Sequence, residues 1–250
     1  MKIIILAAGK GERLYPLTRN LPKPLLDIGN GKTLLEEQIE RIQASGVIDE
    51  IILVVGYLAE QIDSKIIYYQ SRGIKIKTVF NPFYDISNNL LSLWFAKEEM
   101  TDSFLITNGD NLFSKDVFEN FVKMNKQGIF FSISRKRKYD DDDMKVTIFN
   151  NYIDHVSKNI PIEKADAESP GLVLVDGSKS VNIVKTKLEN LIRKPNHRNS
   201  FWLELINSLV EDGVHIQTWE FDGANEWQEV DIHPDIEKMK QLIEINIKKQ

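Results

Sequence analysis

Three short stretches of this chain combine residue types suited to phosphate and metal chemistry. The first is Leu6-Ala7-Ala8-Gly9-Lys10-Gly11-Glu12-Arg13-Leu14, followed by Pro22-Lys23-Pro24-Leu25-Leu26. Small residues let backbone N–H groups come close to phosphate oxygens. Arg13 offers a planar fork of donors and Lys23 a point charge, so together they could neutralise a triphosphate. The stretch is not a dinucleotide fingerprint, because position 14 is leucine, and it lacks the Gly-Lys-Ser/Thr of a P-loop. Taken alone, Gly9-Lys10-Gly11 is equally a tight turn with solvated basic residues.

The second stretch is Asn108-Gly109-Asp110-Asn111 and the third is Trp227-Gln228-Glu229-Val230-Asp231. Magnesium takes oxygen ligands, usually one or two carboxylates together with waters and phosphates. Alternation along a strand puts Glu229 and Asp231 on one side, opposite Val230. The plain alternatives are a turn, which the composition of Asn-Gly-Asp-Asn favours, and solvated acids at a strand end.

These stretches need a scaffold, and the hydrophobic pattern supplies one. Lys2–Ala7 is a continuous apolar run, as expected of a strand covered on both faces. Further strands are expected at Ile51–Val55, Lys75–Phe80, Phe104–Thr107 and Ile129–Ser134. Helical spacing falls between them, at Thr33–Ser45, Leu58–Tyr69, Asn89–Glu99 and Ser114–Lys126, the last with Ser114 as its cap. Such alternation predicts βαβ units and a parallel sheet with right-handed crossovers. Both the glycine loop and Asp110 then fall at carboxyl ends of strands, where open sheets bind ligands. Beyond Ser134 the pattern becomes mixed. Short strands are expected at Lys145–Phe149, Tyr152–Val156, Gly171–Val175, Ile216–Glu220 and Trp227–Val230. Helices are expected at Lys179–Arg193 and Ser200–Glu211, with a last one opened by Pro234. No repeat and no Pro/Gly/Ser linker divides the chain. The fold class expected is α/β: a Rossmann-like, open, mainly parallel twisted sheet with a mixed-strand insertion, in one domain spanning 1–250.

Composition narrows the field. With 250 residues, 42% hydrophobic and 28% charged, the chain is globular rather than disordered. It has no cysteine, which excludes disulfides, thiolate zinc sites and cysteine nucleophiles. The net charge of −5 gives no reason to expect nucleic acid as a partner. No apolar run approaches the ~20 residues of a membrane span. The apolar start is cut by Gly9-Lys10-Gly11, so a buried strand is expected rather than a secretion signal, and a cytoplasmic location follows. His155, His197, His215 and His233 show no metal-ligand spacing.

The longer string, Leu-Ala-Ala-Gly-x-Gly-x-Arg-Leu, then Pro-Leu-Thr, then Leu-Pro-Lys-Pro-Leu, resembles the signature of nucleotidyltransferases that activate sugar phosphates and small alcohol phosphates. Asn81-Pro82-Phe83-Tyr84, Ser87-Asn88-Asn89 and Ser92-Leu93-Trp94 resemble the phosphocholine and phosphonoalkyl cytidylyltransferase branch in particular. The resemblance implies a nucleoside triphosphate, CTP, and a small phosphate or phosphonate acceptor as substrates, with pyrophosphate leaving. It implies that Leu6, Ala7, Ala8, Gly9, Lys10, Gly11, Gly56, Tyr57, Asn88 and Gly109 surround the nucleotide. Arg13 and Lys23 would face its phosphates. Asp110 and Asp231 would hold Mg2+, helped by Glu229. Residues 1–135 would form the nucleotide-binding half and 136–250 the acceptor-binding and closing half. The alternative is a sugar-1-phosphate enzyme using UTP, dTTP or GTP. Larger glucose-1-phosphate enzymes carry added C-terminal domains, for which this length leaves little room. A homodimer is compatible with all of this.

The acceptor is expected in the middle segment. Lys145 and Lys158 could take its phosphate, and small-acceptor relatives show a segment like Glu168-Ser169-Pro170-Gly171, which adds Glu168 and Gly171. Both lysines are equally readable as snorkelling residues on a half-exposed sheet. Asp140–Asp143 is a run of four acids, expected to be mostly a solvated loop, although one or two could receive an amine. Only Tyr139 and Tyr152 lie near it in sequence, whereas a quaternary ammonium prefers an aromatic cage. A primary amine, as in aminoethylphosphonate, suits carboxylates better.

Overall fold

The first strand, β1 (Lys2–Leu6), shows why its run is apolar throughout. Ile4 and Leu6 pack into one buried cluster and Ile3 and Ile5 into another, on opposite faces of the sheet. The computed structural model describes residues 1–29, 31–124, 126–221 and 226–231. β1 pairs in parallel with β2 (Glu50–Val55) on one side and β4 (Ser103–Asn108) on the other, and β2 pairs with β3 (Ile76–Phe80). Beyond them lie β5 (Asn111–Phe113), β6 (Gly128–Ile133), β7 (Lys145–Phe149), β8 (Tyr152–Ser157), β9 (Ala167–Glu168), β10 (Leu172–Asp176), β11 (Ile216–Glu220) and β12 (Trp227–Glu229).

One sheet runs β3-β2-β1-β4-β10-β6-β11-β8-β7-β9. Within its central run, from β3 to β11, only β10 is reversed. The hairpin end, β8-β7-β9, is antiparallel throughout. The helices are α1 (Leu34–Ser45), α2 (Ala59–Ser71), α3 (Asn89–Phe95), α4 (Lys115–Val122), α5 (Ser178–Ile192) and α6 (Glu204–Glu211). Residues of α1, α2 and α4 bury one face of the sheet, and those of α3, α5 and α6 the other.

Local chemistry accounts for several boundaries. Thr33 and Glu36 form a reciprocal capping box that starts α1, and Gly46 ends it in the left-handed region. Asn88 caps α3 by accepting from the Asn89 N–H. Ser114 does not cap α4 with its side chain, contrary to expectation; its Oγ is buried without a hydrogen-bond partner among the described residues. α3 stops at Phe95 and passes into a single 3-10 turn at Lys97–Glu99, shorter than the helix the spacing predicts. The helix expected from Pro234 lies outside the described residues.

The strand order turns about β1 and β4, since β2 and β3 lie on one side and the later strands on the other. A crevice opens outside the carboxyl ends of strands at such a switch point. A second, two-stranded sheet, β12 against β5, stands beside it. That small pair sets Glu229 opposite Asn111, and the Val230 N–H donates to the Asp110 carbonyl at 3.0 Å. Backbone pairing alone thus brings the second and third sequence motifs together.

Candidate active site

The crevice is a cleft of about 750 Å³, within the ~300–1,000 Å³ of small-molecule sites. Its floor is the loop after β1. Leu6, Ala7, Ala8, Gly9, Lys10 and Gly11 all line it, as do Arg13 and Lys23. Gly11 has φ +65°, a left-handed conformation that glycine adopts freely, and its carbonyl accepts from the Thr18 hydroxyl at 2.7 Å. Gly109 allows β1 and β4 to end in close contact, because a Cβ there would sit 2.7 Å from that of Ala7.

Against this floor stand three carboxylates. One oxygen from each of Asp110, Glu229 and Asp231 lies within 4.8 Å of the others. Lys23 reaches into the group, its Nζ donating to Asp110 Oδ2 at 2.9 Å and to Asp231 Oδ1 at 3.5 Å. Arg13 pairs with Asp231 from the cleft side. Burial opposes the Lys23 charge, but Asp110, Asp231 and Glu229 outweigh it and hold the ammonium above its usual range. Glu229 is exposed at the edge of the cleft, and its carboxyl faces two like charges. Desolvation first, then Asp110 and Asp231, push it up to about 8.

This donor set fits a hard divalent cation. All its ligands are carboxylate oxygens, and Asp110 Oδ1 is buried with no hydrogen-bond partner among the described residues. Asp110 and Asp231 would hold the ion, with Glu229 within reach.

On the far side of the cleft the expectations divide. Lys158, Glu168 and Gly171 line it; Lys145 does not. Lys145 is 1% exposed, and its ammonium donates to the carbonyls of Asp140, Asp141 and Asp143 at 3.0, 3.3 and 3.2 Å. Its three donors are committed to the loop, so the structure does not bring it to an acceptor. That loop is itself ordered by hydrogen bonds. Asp140 Oδ1 accepts from the N–H groups of Asp142 and Asp143, and Asp143 Oδ2 accepts from that of Asp140. Asp140, Asp141 and Asp142 are exposed, as expected of a solvated acidic run, and the hydrogen bonds give that run a defined turn as well. Lys158 follows β8 directly and pairs with Asp142. Glu168 is 7% exposed, and the Lys136 ammonium bridges it to Asp143 at 2.6 and 2.7 Å. Burial, opposed by Lys136, leaves the Glu168 carboxyl above its usual range.

Gly56 and Tyr57 are not among the residues lining the cleft. They adjoin its floor: the Tyr57 N–H donates to the Ala8 carbonyl at 3.0 Å, and Gly56 packs against Tyr84. Asn88 lines the cleft and also caps α3.

Residues 2–138 match the family model described as nucleotidyl transferase. The chain belongs to the nucleotidyl transferase family. A choline-phosphate cytidylyltransferase of Streptococcus pneumoniae is 41% identical over 136 residues, covering 54% of this chain and 55% of the relative. The bifunctional protein GlmU of Methanocaldococcus jannaschii is 33% identical over 190 residues, 75% of this chain and 43% of the relative. The matched stretch thus spans about half the length of these relatives. A solved structure of CTP:phosphocholine cytidylyltransferase from Streptococcus pneumoniae superposes with a TM-score of 0.77 at 26% identity, over 97% of this chain and 98% of that one.

Several residues of this nucleotidyl transferase escaped the sequence reading. Gln38, buried on α1, donates to the carbonyls of Gly109 and Asn111 at 3.2 and 2.7 Å and so fixes the loop that carries Asp110. Asn111 donates to the Pro170 carbonyl and accepts from the Trp227 indole, tying the Asp110 loop both to the segment before Gly171 and to β12. The buried Trp202 indole donates to Asn108 at 2.9 Å, and Phe201 and Tyr84 are aromatic residues lining the cleft. The available signal was a polar Gln38 at a core-facing position of an amphipathic helix. Tyr139 and Tyr152, which adjoin the acidic run in sequence, are not among the lining residues.

Proposed function

We propose that this protein transfers CMP from CTP to a small phosphate or phosphonate acceptor in the presence of Mg2+, releasing pyrophosphate. The observation that carries the reading is the set of three carboxylates around Lys23. It stands beside a glycine loop, at the mouth of β1 and β4, in a chain of this family with a cytidylyltransferase relative. An acceptor phosphate oxygen attacks the α-phosphorus, the bond from that phosphorus to the β-phosphate bridge breaks, and the electron pair leaves with pyrophosphate. A bound magnesium ion supplies neutralisation of the developing phosphate charge. The amides of Ala8 to Gly11 and the cations of Arg13 and Lys23 hold the triphosphate, while Lys158 holds the acceptor's anion. No covalent nucleophile on the protein is needed, so catalysis is positioning and electrostatics.

For the acceptor we favour a zwitterion with a primary amine, such as aminoethylphosphonate. The supporting observation is the Asp143–Glu168 pair, two carboxylates served by the single ammonium of Lys136. Such a pair carries net negative charge and already accepts a cation of N–H donor type. A specific observation favours a second reading, phosphocholine: the partly exposed Tyr84 and the exposed Phe201 line the cleft, and aromatic rings attract quaternary ammonium groups. The test is pyrophosphate release from a matrix of nucleoside triphosphates and acceptors. CTP with aminoethylphosphonate is expected to give the highest kcat/KM. Preference for phosphocholine would promote the second reading, and preference for a hexose-1-phosphate with UTP, dTTP or GTP would overturn the cytidylyl assignment.

A further inference from the structure

Six charged side chains of the cleft form one alternating chain. Lys158 pairs with Asp142, Asp142 with Arg13 at 3.5 Å, Arg13 with Asp231, Asp231 with Lys23, and Lys23 with Asp110. Asp142 is the only member contributed by the acidic loop, and it joins two cations that would otherwise repel each other. Its carboxyl is held below the usual range by its hydrogen bond to Lys158 and by Arg13 and Lys145.

We propose that Asp142 is a built-in occupant of the phosphate site, an internal anion that holds Arg13 and Lys158 until a phosphate group displaces it. The proposal rests on the reading of the cleft as a phosphate-binding site. A carboxylate and a phosphate oxygen compete for the same guanidinium and ammonium donors and repel each other there, so the binding of one disfavours the other. The loop is constructed to present this side chain. Lys145 clamps three of its carbonyls from below, and the side chains of Asp140 and Asp143 are used inside the turn. Asp142 alone of the four sends its carboxylate to both Arg13 and Lys158. Its side chain is 70% exposed and that of Arg13 58% exposed. Exposed ion pairs are weak, so the occupant lowers anion affinity without closing the site. It also keeps Arg13 and Lys158 extended toward the cleft in the interval between substrates.

Binding of inorganic tripolyphosphate, measured by titration calorimetry without divalent metal and at fixed ionic strength, tests this directly. Asp142→Asn is expected to bind about 3- to 10-fold more tightly than the parent, the scale of losing one or two exposed pairs. Asp141→Asn removes the same charge from the same loop, but its carbonyl, not its carboxylate, makes the loop contact. It is expected to stay within about twofold of the parent, since a surface charge change of this kind is small. Asp142→Glu should restore the parent affinity. Equal tightening in Asp141→Asn would reduce the effect to net charge and overturn the proposal. Weaker binding in Asp142→Asn would show that Asp142 positions the cations for the ligand, which also overturns it. Absence of tripolyphosphate binding in every protein would remove the phosphate site itself, whereas binding that is equal in all of them would remove only the role of Asp142. Turnover with CTP on the same preparations separates these last two cases.

Discussion

Lys23 Nζ lies 2.9 Å from Asp110 Oδ2, so the cation assigned to the triphosphate sits on the carboxylate assigned to the metal. Lys23, together with Arg13 on Asp231, neutralises a group of three acids that would otherwise repel one another. Lys23→Met is therefore expected to lower the melting temperature of metal-free protein. Added Mg2+ should recover more stability in the variant than in the parent, because the ion no longer competes with an ammonium. KM for the nucleotide should rise by about tenfold or more, as a fixed cation is lost from a partly desolvated site. Thermal melts with and without metal, beside steady-state kinetics, check both halves. Unchanged kinetics would return Lys23 to a structural role.

Asp110→Asn and Asp231→Asn keep side-chain shape and remove charge. Each is expected to reduce turnover by at least about 10²-fold, the scale of removing a main electrostatic contributor. Circular dichroism should report an unaltered fold. Near-normal turnover in Mg2+ by either variant would cancel that ligand assignment.

Glu229 gives a pH dependence whose sign is fixed by its raised pKa of about 8. An acid with a raised pKa binds its proton more tightly folded than unfolded. Its contribution to stability is present at low pH and is lost progressively as pH rises from the ordinary carboxylate range through about 8. Glu229→Gln cannot ionise and escapes this loss. In metal-free protein the stability advantage of Glu229→Gln over the parent is expected to grow across that window and then level off. Saturating Mg2+ should shrink the difference, since the ion favours the charged carboxylate. A gap that does not vary with pH, measured by chemical denaturation at several pH values, would contradict the raised pKa.

Legibility followed the range of the interactions involved. β1 and the glycine loop were readable because a two-sided strand ending at small residues is a local pattern. Asp110 and Asp231 were readable as chemistry, but their meeting depends on β5, a three-residue strand too short to leave a pattern of its own. Gly56 and Tyr57 follow the right strand and touch Ala8 and Tyr84, yet they do not line the cleft themselves, a distinction that position in sequence does not carry. Lys145 misled for a related reason. Alternation places it on one face of β7 but cannot say whether that face meets water or a loop that folds over it.

Lys145 therefore supplies the last prediction, since the two accounts of it diverge in experiment. As an acceptor ligand it would matter to KM and little to stability. As a buried ammonium with three carbonyl partners it matters first to folding, because each hydrogen bond to a charged group contributes roughly 1.5–3 kcal/mol. Lys145→Met keeps most of the aliphatic stem and leaves the carbonyls of Asp140, Asp141 and Asp143 without their donor. A loss of about 2–4 kcal/mol is expected, within the range for breaking a buried polar network. It should come with faster amide hydrogen exchange in the 140–143 loop, and with Asp142 no longer held toward Arg13. Denaturant melts and hydrogen exchange check this. Undiminished stability combined with a large rise in acceptor KM would restore Lys145 to the acceptor site and remove the clamp from the loop.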